Sequence, residues 1–273
     1  MNGPGTTMLR PSPSAAVGLD ATAPYWLLRV GAALCFIGHG AFGFITKAAW
    51  LPYFGVVGIP ERWAWAMMPW VGAVDVLAGM AVLFAPRGLP LVYMTVWALW
   101  TALLRPLAGE SVFETLERAG NYGVPLALLA ISGMPRDWRG LLSPITPLAG
   151  TAGDTRAAMR ILRASTVLLV LGHGALGVIG TSTLTRHYAA LGLDPFLMPL
   201  VGWCEIGLAL AVAVRPAVGL LLGVAAWKLA TEAVFLVAGY PVWEYVERAG
   251  SYVAPLALAA LVLRQRGEPS SGG

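Results

Sequence analysis

Two histidines in matching surroundings are the residues best suited to chemistry in this chain. Gly38-His39-Gly40-Ala41-Phe42-Gly43 follows Leu28-Arg29, with Gly38 nine positions after the arginine. Gly172-His173-Gly174-Ala175-Leu176-Gly177 follows Leu162-Arg163 at the same distance. Each imidazole lies inside a long apolar stretch, and an acid recurs in the next such stretch, Asp75 after the first and Glu205 after the second. An ionisable group within hydrocarbon costs at least about 2.5–3.5 kcal/mol, so it is expected to meet a partner or line a cavity. Four arrangements satisfy that. The two imidazoles could ligate a b-type haem between them, with the flanking glycines admitting a flat macrocycle. His39, His173, Asp75 and Glu205 could instead hold a transition metal such as zinc or iron. In a quinone pocket, histidine and acid would exchange protons with the ring oxygens between walls made by Trp97, Trp100 and Trp227. Alternatively, each histidine bonds to the acid of its own half, and the glycines serve close helix packing.

Other polar residues recur with the same period. Thr101 and Thr231 are equivalent, and with Arg105 and Glu232 they complete a set of candidate substrate contacts. Glu117-Arg118-Ala119-Gly120 matches Glu247-Arg248-Ala249-Gly250. These runs read either as interfacial helix starts with acids near the positive end or as a charged gate. Lys228 and Glu232 lie four apart, on one helix face, where the first half has Ala98 and Ala102.

The elements that must position these groups follow from hydropathy. Mean hydropathy is +0.71, and only 12% of residues are charged, against about 25% in soluble domains. Apolar runs near the roughly 20 residues needed to span a bilayer fall at 26–46, 64–86, 89–108, 115–134, 159–181, 196–214, 216–238 and 243–263. The class expected is an all-α polytopic membrane protein of eight transmembrane helices, with the lipid bilayer as its first partner. Residues 1–25 and 264–273 read as disordered tails, and the Pro-containing stretch 135–158 as a linker between two units, 26–134 and 159–263. Cys35 and Cys204 read as small buried hydrophobes.

The units match along most of their length. Met68-Pro69 corresponds to Met198-Pro199, Gly72 to Gly202, Asp75 to Glu205, Trp97 to Trp227, Tyr122 to Tyr252 and Pro125 to Pro255. Four spans per unit is an even number, so the two four-helix bundles are expected to run parallel. Arg10, Arg29, Arg87, Arg136, Arg139, Arg156, Arg160, Arg163, Arg215, Arg264 and Arg266 fall on the side of the termini. Lys47, Arg62, Arg105, Arg118, Arg186 and Arg248 fall on the other. Eleven against six, with Lys228 in mid-span, places both termini in the cytoplasm of a bacterial-type inner membrane. The basic balance therefore speaks of topology and not of nucleic acid. His39, thirteen residues into its span, is about 20 Å along it, in the outer half.

Each unit resembles the DoxX-like family of four-helix membrane proteins, which includes the DoxD-type subunit of thiosulfate:quinone oxidoreductase. The matching features are Leu28-Arg29 and Leu162-Arg163, and the Gly-rich end of the first helix, followed by Lys47 in the first unit. They continue with Tyr53-Phe54-Gly55-Val56-Val57-Gly58-Ile59-Pro60 and His187-Tyr188-Ala189-Ala190-Leu191-Gly192-Leu193, then Asp75 with Gly79 and Glu205 with Gly207. The Gly-His-Gly and Glu-Arg-Ala-Gly elements depart from the family pattern. The resemblance implies quinone-linked membrane redox chemistry, as an oxidoreductase or a subunit of one with a partner redox subunit. A small-molecule or ion permease using the histidine–acid pairs as a relay, and an assembly subunit without chemistry, stand beside that reading.

Overall fold

The computed structural model describes residues 22–147 and 150–267, and every regular element among them is helical. In chain order these are α1 (Ala23–Phe44), a 3-10 turn at Ala48–Trp50, α2 (Leu51–Val56), α3 (Glu61–Phe84), α4 (Gly88–Leu107), α5 (Phe113–Glu117), α6 (Ala119–Ile131) and α7 (Trp138–Leu142). Then come α8 (Ala152–Ile179), α9 (Ser182–Ala190), α10 (Leu197–Val214), α11 (Val218–Val237), α12 (Val242–Glu247) and α13 (Ala249–Gly267). Seven of these stretches are long and apolar enough to cross a membrane, with α12 and α13 counting as one through the break at Arg248. The chain is a multi-pass integral membrane protein.

The stretch 115–134 departs from the single long span expected. It is two pieces, α5 and the 13-residue α6, which is only about 20 Å long. Arg118 interrupts it at one end, and at the other Gly133 takes a left-handed φ of 88° just past Ser132. The expected N-terminal tail lies outside the described residues up to position 21. Ala23–Tyr25 are already helix, because Pro24 suits the first turn, where no amide partner is needed. The last six residues of the C-terminal tail also lie outside, while Arg264–Gly267 continue α13. Within the expected linker, Thr151 and Asp154 form a reciprocal capping box that starts α8 earlier than hydropathy suggests.

The outward faces of the long helices are apolar. Trp70, Leu77 and Phe84, spaced seven apart on α3, are 76%, 67% and 70% exposed; on a soluble protein such a stripe would be a liability, whereas lipid solvates it. Cys204 belongs to this exposed surface, so only Cys35 is buried.

The repeated arginines have a shared structural task. Arg29 is buried and donates from Nε to the Val82 carbonyl at 2.9 Å and from Nη2 to the Leu83 carbonyl at 2.6 Å. Arg163 donates to the Ala213 carbonyl and, at 3.4 Å, to that of Val214. Each cation thus satisfies the last carbonyls of the next long helix, α3 or α10, where the helix dipole is negative.

Glycines set the distance between helices. A Cβ on Gly38 would overlap the backbone nitrogen of Glu247, and one on Gly172 that of Glu117, so each histidine-bearing helix lies directly against the short helix, α12 or α5, of the other half. The second glycines, Gly40 and Gly174, face the carbonyls of Gly72 and Gly202 in their own halves. Gly120 and Gly250 press on each other's backbone. Replacing Gly172 by Val should therefore lower stability by about 1–3 kcal/mol through overpacking. The same change at Gly223, which faces open space, should be close to neutral. Thermal denaturation of the two variants in detergent makes the comparison.

Candidate functional site

Each imidazole is held by the acid of its own half. His39 Nδ1 lies 2.8 Å from Asp75 Oδ2, and Tyr93 donates its hydroxyl to Asp75 Oδ1 at 2.8 Å. In the second half, His173 Nδ1 meets Glu205 Oε1 and Oε2 at 2.8 and 2.7 Å, and Trp227 Nε1 donates to Oε1 at 2.6 Å. Asp75 and Glu205 are both buried. A carboxylate only accepts, so Nδ1 carries the proton in each ring and Nε2 is left to face whatever comes next. The two acids thus use different second donors. Tyr93 has no counterpart, since Gly223 stands at its position, whereas Trp97, the counterpart of Trp227, has an indole Nε1 that is buried without a partner.

The two sites open onto different spaces. His39 lines an apolar cavity of about 190 Å³ walled by Phe36, Phe54, Val71, Trp97, Trp100 and Leu104 among others, with Thr101, Arg105, Arg118, Asn121 and Glu247 adding polar groups. Trp50 stacks on the imidazole, ring centroids 4.6 Å apart, and Phe42, Trp50 and Met68 form a small core that pins α2 over this cavity. His173 lines a larger vestibule of about 610 Å³ whose walls are mostly charged and polar. Of the substrate contacts expected from sequence, Trp97, Trp100, Thr101 and Arg105 gather around His39, while Trp227, Thr231 and Glu232 lie outside both spaces. Thr101 and Thr231 spend their hydroxyls on the carbonyls of Ala98 and Lys228.

A network of buried and half-buried ion pairs lines the vestibule. Arg248 Nη1 bonds to Glu117 Oε1 across the halves at 3.0 Å, and its Nε lies 3.6 Å from Glu232 and 3.8 Å from Glu244. Arg118 pairs with Glu114 and Glu117 at 2.6 and 2.9 Å. Lys47 reaches Glu244 and, more loosely, Glu247, while Arg105 binds Glu110 at 2.9 Å. Tyr53 donates to Glu110. Burial pushes its phenol above the ordinary range against the opposing charge of Arg105, so it stays a donor. The Glu-Arg-Ala-Gly runs therefore cross-link the halves from within, and Lys228 is a wholly buried partner of Glu232 at 2.7 Å.

Two residues of the site carried little sequence signal, Tyr93 and Trp50, which have no equivalents in the other half. His187 stands where the first half has Tyr53. His187 is buried in the vestibule wall, edge-on to Phe235 and Tyr240.

The geometry fits neither cofactor arrangement considered from sequence. The faces of Gly38 and Gly172 that a macrocycle needs are filled by backbone of α12 and α5, and the two imidazoles line different spaces. Among the described residues, no cluster of three or more His, Cys, Asp or Glu is placed to hold a metal ion. Comparison of the chain with protein-family models, with curated proteins and with solved structures finds no match. Fold and site together define a multi-pass helical membrane protein with two pairs of a half-buried histidine and a buried carboxylate.

Lys228→Ala alone leaves Glu232 short of its nearest cation and should cost about 3–5 kcal/mol. The double variant K228A/E232A reproduces the first half's Ala98 and Ala102 and should recover most of that loss in a double-mutant cycle. His187 gives a pH dependence. Burial, and next the charge of Arg248, pull its imidazole from 6.5 down to about 4. The unfolded chain therefore binds the extra proton first, and stability present above pH 6.5 should drain away as pH falls toward 4. A series of thermal midpoints across that window should show the decline, and His187→Phe should flatten it.

Proposed function

We propose that this protein is a component of a membrane redox system that handles a quinone or a related neutral ring substrate at His39. In this reading the chain crosses a bacterial-type inner membrane eight times, as two parallel copies of one four-helix unit, with both termini cytoplasmic. The observation that carries it is the His39–Asp75–Tyr93 chain opening, in the first half, onto an apolar cavity walled by aromatic rings.

Such a cavity favours a flat, uncharged ring, and His39 supplies the one thing quinone chemistry needs from a protein, a proton acceptor at its edge. Oxidation of a quinol releases two electrons and two protons. One hydroxyl proton passes to Nε2 of His39, the imidazolium being stabilised by Asp75 while Tyr93 holds the carboxylate in place, and the second follows by the same route once His39 has released the first to water in the adjoining vestibule. The electrons leave to a partner redox subunit. The DoxX-like features, Leu28-Arg29, Asp75 with Gly79 and their counterparts, support the same class.

One observation favours a permease instead. The cavity and the vestibule share Trp50, Tyr53, Arg105, Arg118 and Glu247 as walls, an arrangement suited to passing a solute from one space to the other. Uptake into proteoliposomes without any redox partner would support it.

Anaerobic titration calorimetry with menadiol, whose hydroxyl can donate to the bare Nε2 of His39, with protein in nanodiscs and empty nanodiscs as the blank, tests the redox reading. Wild type should bind, and His39→Ala and Asp75→Asn should each weaken binding by about tenfold or more, the scale of one buried hydrogen bond. Equal affinity in all three proteins, or no binding to any, contradicts it.

A further inference from the structure

The two copies of the histidine–acid site are not equally closed. In the second half, Glu205 accepts the Nδ1–H of His173 on one side and the indole N–H of Trp227 on the other, so the carboxylate and the indole of that triad satisfy each other within the protein. In the first half the acid is one methylene shorter, and its second donor is Tyr93. Trp97 occupies the position of Trp227, yet its Nε1 is buried with no partner, while its ring stacks against Tyr93 at 6.1 Å and lines the apolar cavity beside His39. A buried N–H left unpaired costs free energy comparable to a lost hydrogen bond, so such a group in a protein asks for an explanation. A protein acceptor for it already exists in the equivalent position of the other half.

We propose that Trp97 Nε1–H is the ligand handle of this cavity, donating to a carbonyl oxygen of the bound ring, and that the copies have divided their labour. The second half keeps a closed His173–Glu205–Trp227 triad that stabilises the fold. The first half, through the Asp75 and Tyr93 substitutions, has released its tryptophan to bind. The inference rests on the quinone reading above and narrows it. The ligand is a neutral flat ring with at least one carbonyl acceptor for Trp97, seated beside His39, whose Nε2 can accept only from a hydroxyl of the reduced form. A hydrocarbon of the same shape gains the apolar walls and nothing from the indole.

The test uses two probes of nearly the same shape, menadione and 2-methylnaphthalene, on the full-length protein in nanodiscs. Trp97→Phe keeps a large aromatic ring and removes only the N–H. It should weaken menadione binding about tenfold or more and leave 2-methylnaphthalene unchanged. Trp227→Phe should leave both affinities intact and lower the thermal midpoint. The indole 15N–H resonance of Trp97, assigned by its loss in Trp97→Phe, should move downfield when menadione is added to wild type, with that of Trp227 unmoved. If menadione binds wild type and Trp97→Phe equally and the Trp97 resonance stays still, this assignment is overturned while the quinone reading stands. If menadione does not bind wild type, the quinone reading falls and this one falls with it.

Discussion

A carboxylate in an apolar interior must be given donors, and that requirement organises this protein. Asp75 and Glu205 are buried on helices whose outer faces meet lipid, where an uncompensated charge is expensive. Each is answered by a histidine from the first long helix of its half and by one aromatic donor. Bringing an imidazole that close requires α1 to lie against α3, and α8 against α10, at a separation only glycine permits. The same demand recurs nearer the loops, where Glu117, Glu232 and Glu244 converge on Arg248. The halves are thereby joined through satisfied charge as well as through apolar packing.

The joining is reciprocal. Gly38 of α1 rests on the backbone of Glu247, and Gly172 of α8 on that of Glu117, so each half supplies the floor on which the other's histidine helix lies. Around that shared frame the copies diverge. Gly31 faces Val253 in one crossing, while Gly123 faces Ser165 in the equivalent one, an exchange of the small and the larger partner. The first half carries the apolar cavity, and the second carries the buried Lys228–Glu232 pair and borders the charged vestibule.

Much of this was legible in the sequence, because hydropathy and internal repetition act over long distances. The membrane class, the long helices and the pairing of each histidine with an acid follow from apolar length and from the cost of lone ionisable groups. The break between α5 and α6 was only partly legible: the charges at Glu117 and Arg118 mark the start of that run as polar, but not that Arg118 divides it for the sake of its ion pairs. That the two histidines line different spaces was not legible either. Equivalent residues in a tandem pair point into their own halves unless an axis brings them together, and nothing in spacing reveals which. Tyr93 and Trp50 escaped because comparing the two copies finds what recurs, and these two occur once. Trp227 was read as a pocket wall, yet the longer side chain of Glu205 turns it into a structural donor.

The account stands on the imidazole–carboxylate bond in the first half. Solid-state 15N spectroscopy of histidine-labelled protein in lipid bilayers, with His39 assigned by its loss in His39→Ala, reads that bond directly. The structure requires Nδ1 of His39 to carry a proton and to be hydrogen-bonded to a carboxylate, a signature that shifts in Asp75→Asn. A proton on Nε2 with a bare Nδ1, or a His39 signal indifferent to the substitution at Asp75, would contradict it.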